Sequence, residues 1–128
     1  MLVAIRDCGW PAYLCILIGL VGALVGLLGV VLAATKRAGA ARLLGGVAIA
    51  IGLGTVGAGF VGRAMGERAT ESVLEEVPAE SKDIIRAEGH KEAGQCVNVG
   101  GYAAALPLLL GAIAVAVGFA ARGSADRG

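Results

Sequence analysis

Three long stretches without a charged residue divide this chain of 128 residues, at positions 8–35, 43–62 and 93–121. The hydrocarbon core of a bilayer is about 30 Å thick, and a helix needs roughly 20 apolar residues to cross it. Inside hydrocarbon a segment must satisfy its own backbone hydrogen bonds, so each span has to be a helix. The sequence therefore predicts an all-α integral membrane protein with three transmembrane helices.

The composition fits a membrane protein and leaves no room for a soluble domain. Hydrophobic residues make up 57% of the chain and charged residues 16%, whereas globular domains carry about 25% charged residues. We therefore treat 1–128 as a single membrane domain. Arg6 and Asp7 cancel in charge ahead of a long apolar run, so we expect the first span to stay as an anchor rather than to be cleaved as a signal. We place the spans at about 12–35, 43–64 and 97–121, with an acidic helical hairpin at about 65–96.

The basic residues indicate an orientation, because short loops rich in Lys and Arg remain on the cytoplasmic side. The first loop holds three bases and no acid, whereas the long connection spreads five bases among eight acids. We expect the N-terminus and the long connection outside, and the first loop and C-terminus inside, in a bacterial inner membrane. The bases behind this expectation are Lys36, Arg37, Arg42, Arg122 and Arg127.

The long connection has the pattern of a helical hairpin. Its apolar residues recur at helical spacing as far as Val77, and Pro78 then interrupts the pattern, since the residue before a proline disfavours the helical region. Ser81 is a candidate N-cap for a return helix. We expect the second span to continue outward to about Val77, turn at Pro78, and return as a helix that leads into the third span.

Two interpretations of this hairpin remain open. Its helices either connect the spans as solvated segments, or they present an acidic docking surface to a partner. The candidate docking residues are Glu71, Glu75, Glu76 and Glu80.

Small residues follow one another at every fourth position of the second span: Gly46, Ala50, Gly54, Ala58, Gly62 and Gly66. Residues four apart share a helix face, and small side chains let neighbouring helices approach closely. Gly22 and Gly26 form a further G-x-x-x-G pair in the first span. The alternative explanation is that the row merely reflects the chain's general abundance of Gly and Ala. Because three helices have little interior, we favour contacts between subunits.

No ionisable side chain lies in the middle of a span, where such a residue would mark a functional site. Thr55 either bonds back to its own helix, as is common, or faces a pore or partner. Pro107 permits a kink in the third span. His90 and three scattered cysteines do not match a zinc-site spacing. We expect no enzyme activity, no metal, no cofactor and no nucleic-acid partner.

Cys8 and Cys96 both lie near the predicted outer ends of their spans. In an oxidising compartment they could pair and join the first span to the third. The alternative, which we favour from the sequence, is two free thiols in apolar surroundings.

Short motifs occur within or directly before all three spans. Asp-Cys-Gly-Trp-Pro at 7–11 precedes the first span, and Gly-Thr-Val-Gly at 54–57 lies within the second. Glu-Ala at 92–93 is followed by Gly100 and by Ala-Leu-Pro at 105–107. Together they resemble the MotA/TolQ/ExbB proton-channel family, with its Trp-containing lead-in, its Leu-Gly-Thr-Val-x-Gly motif and its later Ala-Ile-Pro.

The resemblance implies a homo-oligomeric ring around a single-span partner that carries the membrane carboxylate, with Thr55 at the pore-facing threonine. The chain departs from the family in two ways. Its first loop has about seven residues in place of a large cytoplasmic region, and residues 100–121 contain no Ser or Thr.

Two hypotheses of function follow. In the first, the chain is an ExbB-like oligomeric subunit that forms a ring or pore around a partner helix for proton-driven work, with Thr55 and Pro107 facing the pore or partner. In the second, it is a non-conducting structural or accessory subunit of a larger membrane complex, which docks through its acidic hairpin.

Overall fold

The computed structural model describes residues 6, 8–35 and 37–125, with the side chains of 122–125 excluded. It contains three long α-helices, which we call α1 (Trp10–Ala34), α2 (Ala38–Leu74) and α3 (Lys82–Ala125), and a short 3-10 turn at Ala79–Ser81. Over the described ranges there is no β-strand. Each of the three helices is long and apolar enough to cross a membrane. The prediction of an all-α chain with three span-length helices is therefore confirmed.

The two ends of α1 are set by local chemistry. Gly9 precedes the helix with a φ of 69°, in the left-handed region that glycine tolerates best. Pro11 follows in the first turn, where its missing N–H costs nothing. At the other end the N–H of Thr35 donates to the carbonyl oxygen of Val31 over 3.1 Å, and α2 begins only three residues later. This short connection makes α1 and α2 antiparallel neighbours.

The second and third helices are longer than a bilayer requires. At 1.5 Å per residue, the 25 residues of α1 span about 38 Å, whereas the 37 of α2 and the 44 of α3 span about 55 and 66 Å. The start of α1 is level with Gly62, because a Cβ built there would lie 3.5 Å from the Cβ of Pro11. Segments 63–74 and 82–95 therefore extend beyond α1 and pair with each other; we call them the overhanging hairpin.

The turn of the overhanging hairpin differs slightly from the prediction. Helix α2 ends at Leu74 and not at Val77. Pro78 has no N–H with which to continue the ladder, and the N–H of Glu76 already bonds to the carbonyl oxygen of Val73 over 3.1 Å, which closes the last turn. Ser81 is the last residue of the 3-10 turn and lies directly before α3, at the position predicted for its cap.

Small residues at alternating spacings of three and four form the contact faces of the helices. The average spacing of 3.5 residues is that of the contact positions in a coiled coil. Helix α3 follows the same pattern, except that two spacings of four come in succession. In α1 the buried positions are Ala12, Cys15, Gly19, Gly22, Gly26, Gly29 and Ala33. In the membrane-length part of α2 they are Ala41, Gly45, Ala48, Gly52, Thr55, Gly59 and Gly62. In α3 they include Ala93, Cys96, Gly100, Ala104, Pro107, Gly111, Ala114 and Gly118.

These faces bring α2 and α3 almost into backbone contact. A Cβ built on Gly100 would lie 3.0 Å from the Cα of Gly59 and 3.0 Å from the carbonyl oxygen of Thr55. Large aliphatic side chains point away from the interior instead: Leu17 and Leu20 are each 60% exposed. The bundle thus has small residues inside and large apolar ones outside, the reverse of a water-soluble helical bundle.

Candidate functional site

Thr55 lies inside the bundle of a single chain. Its side chain is fully buried, and its hydroxyl donates to the carbonyl oxygen of Ile51 over 2.9 Å. It is the one buried polar residue among those that the structure describes. Of the two interpretations of Thr55, the arrangement matches the bond back to its own helix, and the hydroxyl does not reach the outer surface of the chain.

Pro107 also packs within the chain. It is buried on α3, which runs through it without interruption, and a Cβ built on Gly22 of α1 would lie 2.9 Å from the Cβ of Pro107. The ring fills the space that Gly22 leaves open. Its observed role is therefore helix packing against α1.

The every-fourth row of α2 divides into two parts. Gly46, Ala50 and Gly54 are exposed, whereas Gly62 is buried against Cys96. Four residues rotate a helix by about 400°, so such a row turns by about 40° at each step and cannot stay on one face. The other two residues of the row, Ala58 and Gly66, are half-buried.

At both G-x-x-x-G pairs the chain's own helices supply the close contact, whereas the preference for contacts between subunits stays a prediction. Gly22 and Gly26 face Pro107 and Leu110 of α3, and Gly66 faces Ala93 of the same helix. These pairs therefore serve packing within the chain. Only the first half of the α2 row, where Gly46 and Gly54 have no atom within 4 Å of a built Cβ, is left uncovered.

A disulfide joins Cys8 to Cys96, with 4.9 Å between their Cα atoms. The structure therefore has the paired alternative and not the free thiols that we favoured from the sequence. Both residues are buried, at 9% and 3% exposure, beside Ala12 and Val99. The bond ties the start of α1 to α3 at the level where the overhanging hairpin begins.

Ion pairs cross between the two helices of the overhanging hairpin. The guanidinium of Arg86 donates to both carboxylate oxygens of Glu71, over 2.9 and 3.2 Å. The Nε2 of His90 lies 3.4 Å from the same carboxylate, and its Nδ1 lies 3.9 Å from Glu67. Arg63 in turn pairs with Glu67 over 2.7 Å. We call Arg63, Glu67, Glu71, Arg86 and His90 the hairpin charge network.

The network shifts the ionisation of its acids. The hydrogen bond from Arg63 lowers the pKa of Glu67, and the hydrogen bond from Arg86 lowers the pKa of Glu71. The reciprocal effect raises the pKa of Arg86. Both carboxylates are therefore held in their charged form across a wider pH range than an isolated glutamate.

The network also divides the four acids predicted to dock. Glu71 is neutralised inside the overhanging hairpin by Arg86. Glu75, Glu76 and Glu80 lie exposed at the turn, which we call the hairpin tip, and none of them forms an ion pair within the described part of the chain.

A different contact, which the sequence did not indicate, lies at the opposite end of the bundle. The guanidinium carbon of Arg42 lies 5.0 Å from the ring centroid of Phe119, in cation–π geometry. The Nε of Arg42 donates to the carbonyl oxygen of Ala38 over 3.2 Å. Of the other bases behind the predicted orientation, Lys36, Arg127 and the side chain of Arg122 lie outside the described residues, as does Asp7 of the lead-in motif.

No protein-family model, curated protein or solved structure matches the chain.

Proposed function

We propose that the chain is a non-conducting structural subunit of a larger membrane complex, and that it docks on its partners through the hairpin tip. The proposal rests on where the polar groups of the chain lie. Among the described residues, Thr55 is the one buried polar residue, and its hydroxyl donates to the carbonyl oxygen of Ile51. Among the exposed carboxylates that form no ion pair within the described residues, Glu75, Glu76 and Glu80 cluster at the tip.

The rest of the fold supports a scaffold role. Helices packed through glycine and alanine gain close van der Waals contact, which drives helix association where lipid removes the hydrophobic effect. The Arg86–Glu71 pair joins the two helices of the overhanging hairpin, and the Cys8–Cys96 disulfide ties α3 at the base of the hairpin to the start of α1. Because the tip is already ordered, less conformational entropy is lost when a partner binds to it.

The same proposal includes an orientation. Disulfides persist in oxidising compartments, so the Cys8–Cys96 bond favours placing the overhanging hairpin on the outer side of a bacterial inner membrane. The positive-inside rule gives the same direction, because the connection between α1 and α2 carries bases and no acid.

The test is charge reversal at the tip. Replacement of Glu75, Glu76 and Glu80 with Lys should remove partner subunits that co-purify with the chain from its own membrane. The matched control reverses Asp83, Glu88 and Glu92, which are also exposed and form no ion pair within the described residues but lie within α3. Loss of partners only in the tip variant supports the proposal. Retention of partners by the tip variant would count against it.

A second candidate is the homo-oligomeric, ExbB-like subunit around a single-span partner that bears a carboxylate. The observation that favours it is the uncovered small face of α2, formed by Gly46, Ala50 and Gly54. Replacement of Gly46 and Gly54 with Leu should break such an oligomer, whereas Ala112→Leu and Ala116→Leu on the exposed face of α3 should leave it intact. Proton flux that Thr55→Val abolishes while assembly persists would favour this candidate over the first.

A further inference from the structure

The two ends of the bundle differ in the carboxylates that the described residues place near their arginines. At the overhanging hairpin, Arg63 and Arg86 are each paired with a glutamate. At the opposite end, no carboxylate among the described residues lies within ion-pair distance of Arg42, and the first turn of α2 contains no acid. Arg37 adds a second, exposed base there. This end therefore carries positive charge that the described part of the chain does not neutralise.

Arg42 is nevertheless held in a defined position. Its Nε donates to Ala38 within α2, and its guanidinium lies over the ring of Phe119 on α3. Its stem passes close to Gly118, where a built Cβ would lie 2.7 Å from the Cγ of Arg42. A glycine at that point makes room for the side chain. The guanidinium is thus fixed at the seam between α2 and α3, and neither terminal nitrogen has a carboxylate partner in the described ranges.

We propose that Arg42 binds the phosphate of an anionic phospholipid headgroup at this seam. A guanidinium presents paired N–H donors that match phosphate oxygens. Basic side chains near a membrane surface attract anionic lipids. The inference rests on the membrane placement in the proposed function, but it concerns the end of the bundle away from the hairpin tip.

The surroundings of Arg42 favour a lipid over free phosphate. The residue stands directly before the uncharged run 43–62, at the predicted edge of the hydrocarbon. Leu43 is 68% exposed and Phe119 is 61% exposed beside it. A lipid would place its phosphate on the guanidinium and its acyl chains on these apolar side chains, whereas an inorganic anion would leave them without a partner.

The test counts lipids that remain bound to the protein. The chain is reconstituted in nanodiscs of equal parts phosphatidylcholine and phosphatidylglycerol, and the lipids retained after release are counted by native mass spectrometry. We expect enrichment of phosphatidylglycerol on the wild type and about a fivefold loss of that enrichment in Arg42→Gln, as one basic contact warrants. Arg42→Lys, which keeps the charge but not the paired donors, should lie between them.

Arg63→Gln is the matched control, because it removes one base from the opposite end and should keep the enrichment. Equal loss in the two Gln variants, or no enrichment on the wild type, would overturn the proposal. Displacement of the lipid by millimolar inorganic phosphate would identify the free anion as the ligand and overturn the lipid assignment. A failure of the tip variant to lose partners would leave this result unchanged, so the two proposals fail separately.

Discussion

Gly45 on α2 and Gly111 on α3 meet backbone to backbone. A Cβ built on Gly45 would lie 2.8 Å from the carbonyl oxygen of Gly111, and one built on Gly111 would lie 2.7 Å from the carbonyl oxygen of Gly45. Real Cβ atoms do not approach a backbone oxygen so closely, so a side chain at either position would push the helices apart. This reciprocal contact sets the distance between α2 and α3.

The first prediction concerns this contact. Gly111→Ala should destabilise the bundle by roughly 1–3 kcal/mol, because overpacking forces the backbone to shift. Gly46→Ala is the matched control, since nothing lies within 4 Å of its built Cβ. It should be neutral or stabilising by up to about 1 kcal/mol, from the better helix propensity of alanine. Thermal unfolding in detergent measures both, and equal effects of the two substitutions would contradict the packing described here.

The second prediction concerns the disulfide. Cys8→Ser with Cys96→Ser should lower stability by about 2–4 kcal/mol, because the bond closes a long loop of the unfolded chain. The start of α1 should also become accessible to amide exchange, since it loses its tie to α3. Cys15→Ser serves as the control, as Cys15 takes no part in the bond. Peptide mapping without reductant that recovers only free Cys8 and Cys96 would contradict the pairing.

The third prediction concerns the Arg86–Glu71 pair. Arg86→Gln should loosen the overhanging hairpin and increase amide exchange in 63–74 and 82–95, while the three-helix part stays protected. Arg68→Gln is the control, because Arg68 is exposed on the α2 segment of the overhanging hairpin and forms no ion pair within the described residues. Equal exchange in the two variants would show that the cross-helix pair does not order the hairpin.

The fourth prediction is a pH dependence of the overhanging hairpin. The pKa values of Glu67 and Glu71 are lowered from 4.5 by their arginine partners. A group with a lowered pKa in the folded state contributes stability above its unfolded pKa and loses that stability as the pH falls through the folded one. The protection of the hairpin amides, relative to their intrinsic exchange rate at each pH, should therefore be steady above about pH 4.5 and decrease below it. Glu71→Gln should weaken this dependence, and an unchanged profile in that variant would contradict the assignment.

Much of the fold could be predicted because bilayer thickness and charge are strong constraints. The uncharged runs predicted the three span-length helices, and Pro78 predicted the position of the turn to within a few residues. The contact faces were harder to predict. With 22 glycines in the chain, an every-fourth row and a row of alternating threes and fours are both present in α2, and only the packing of all three helices selects the second.

The candidate site was only partly predictable for a related reason. Arg63 and Glu67 are four residues apart on one helix, so their pairing can be read from the sequence. The pairs Arg86–Glu71 and Arg42–Phe119 join α2 to α3, and they depend on the register that the hairpin turn sets. A shift of α2 against α3 by one turn would separate both pairs without any change in hydrophobic pattern.

The most direct test of the proposed function is native mass spectrometry of the chain extracted gently from its own membrane, with and without charge reversal at Glu75, Glu76 and Glu80. We predict a single copy bound to unrelated larger subunits, which are lost from the tip variant but kept by the variant reversed at Asp83, Glu88 and Glu92. A ring of several copies that survives reversal of the tip would contradict it.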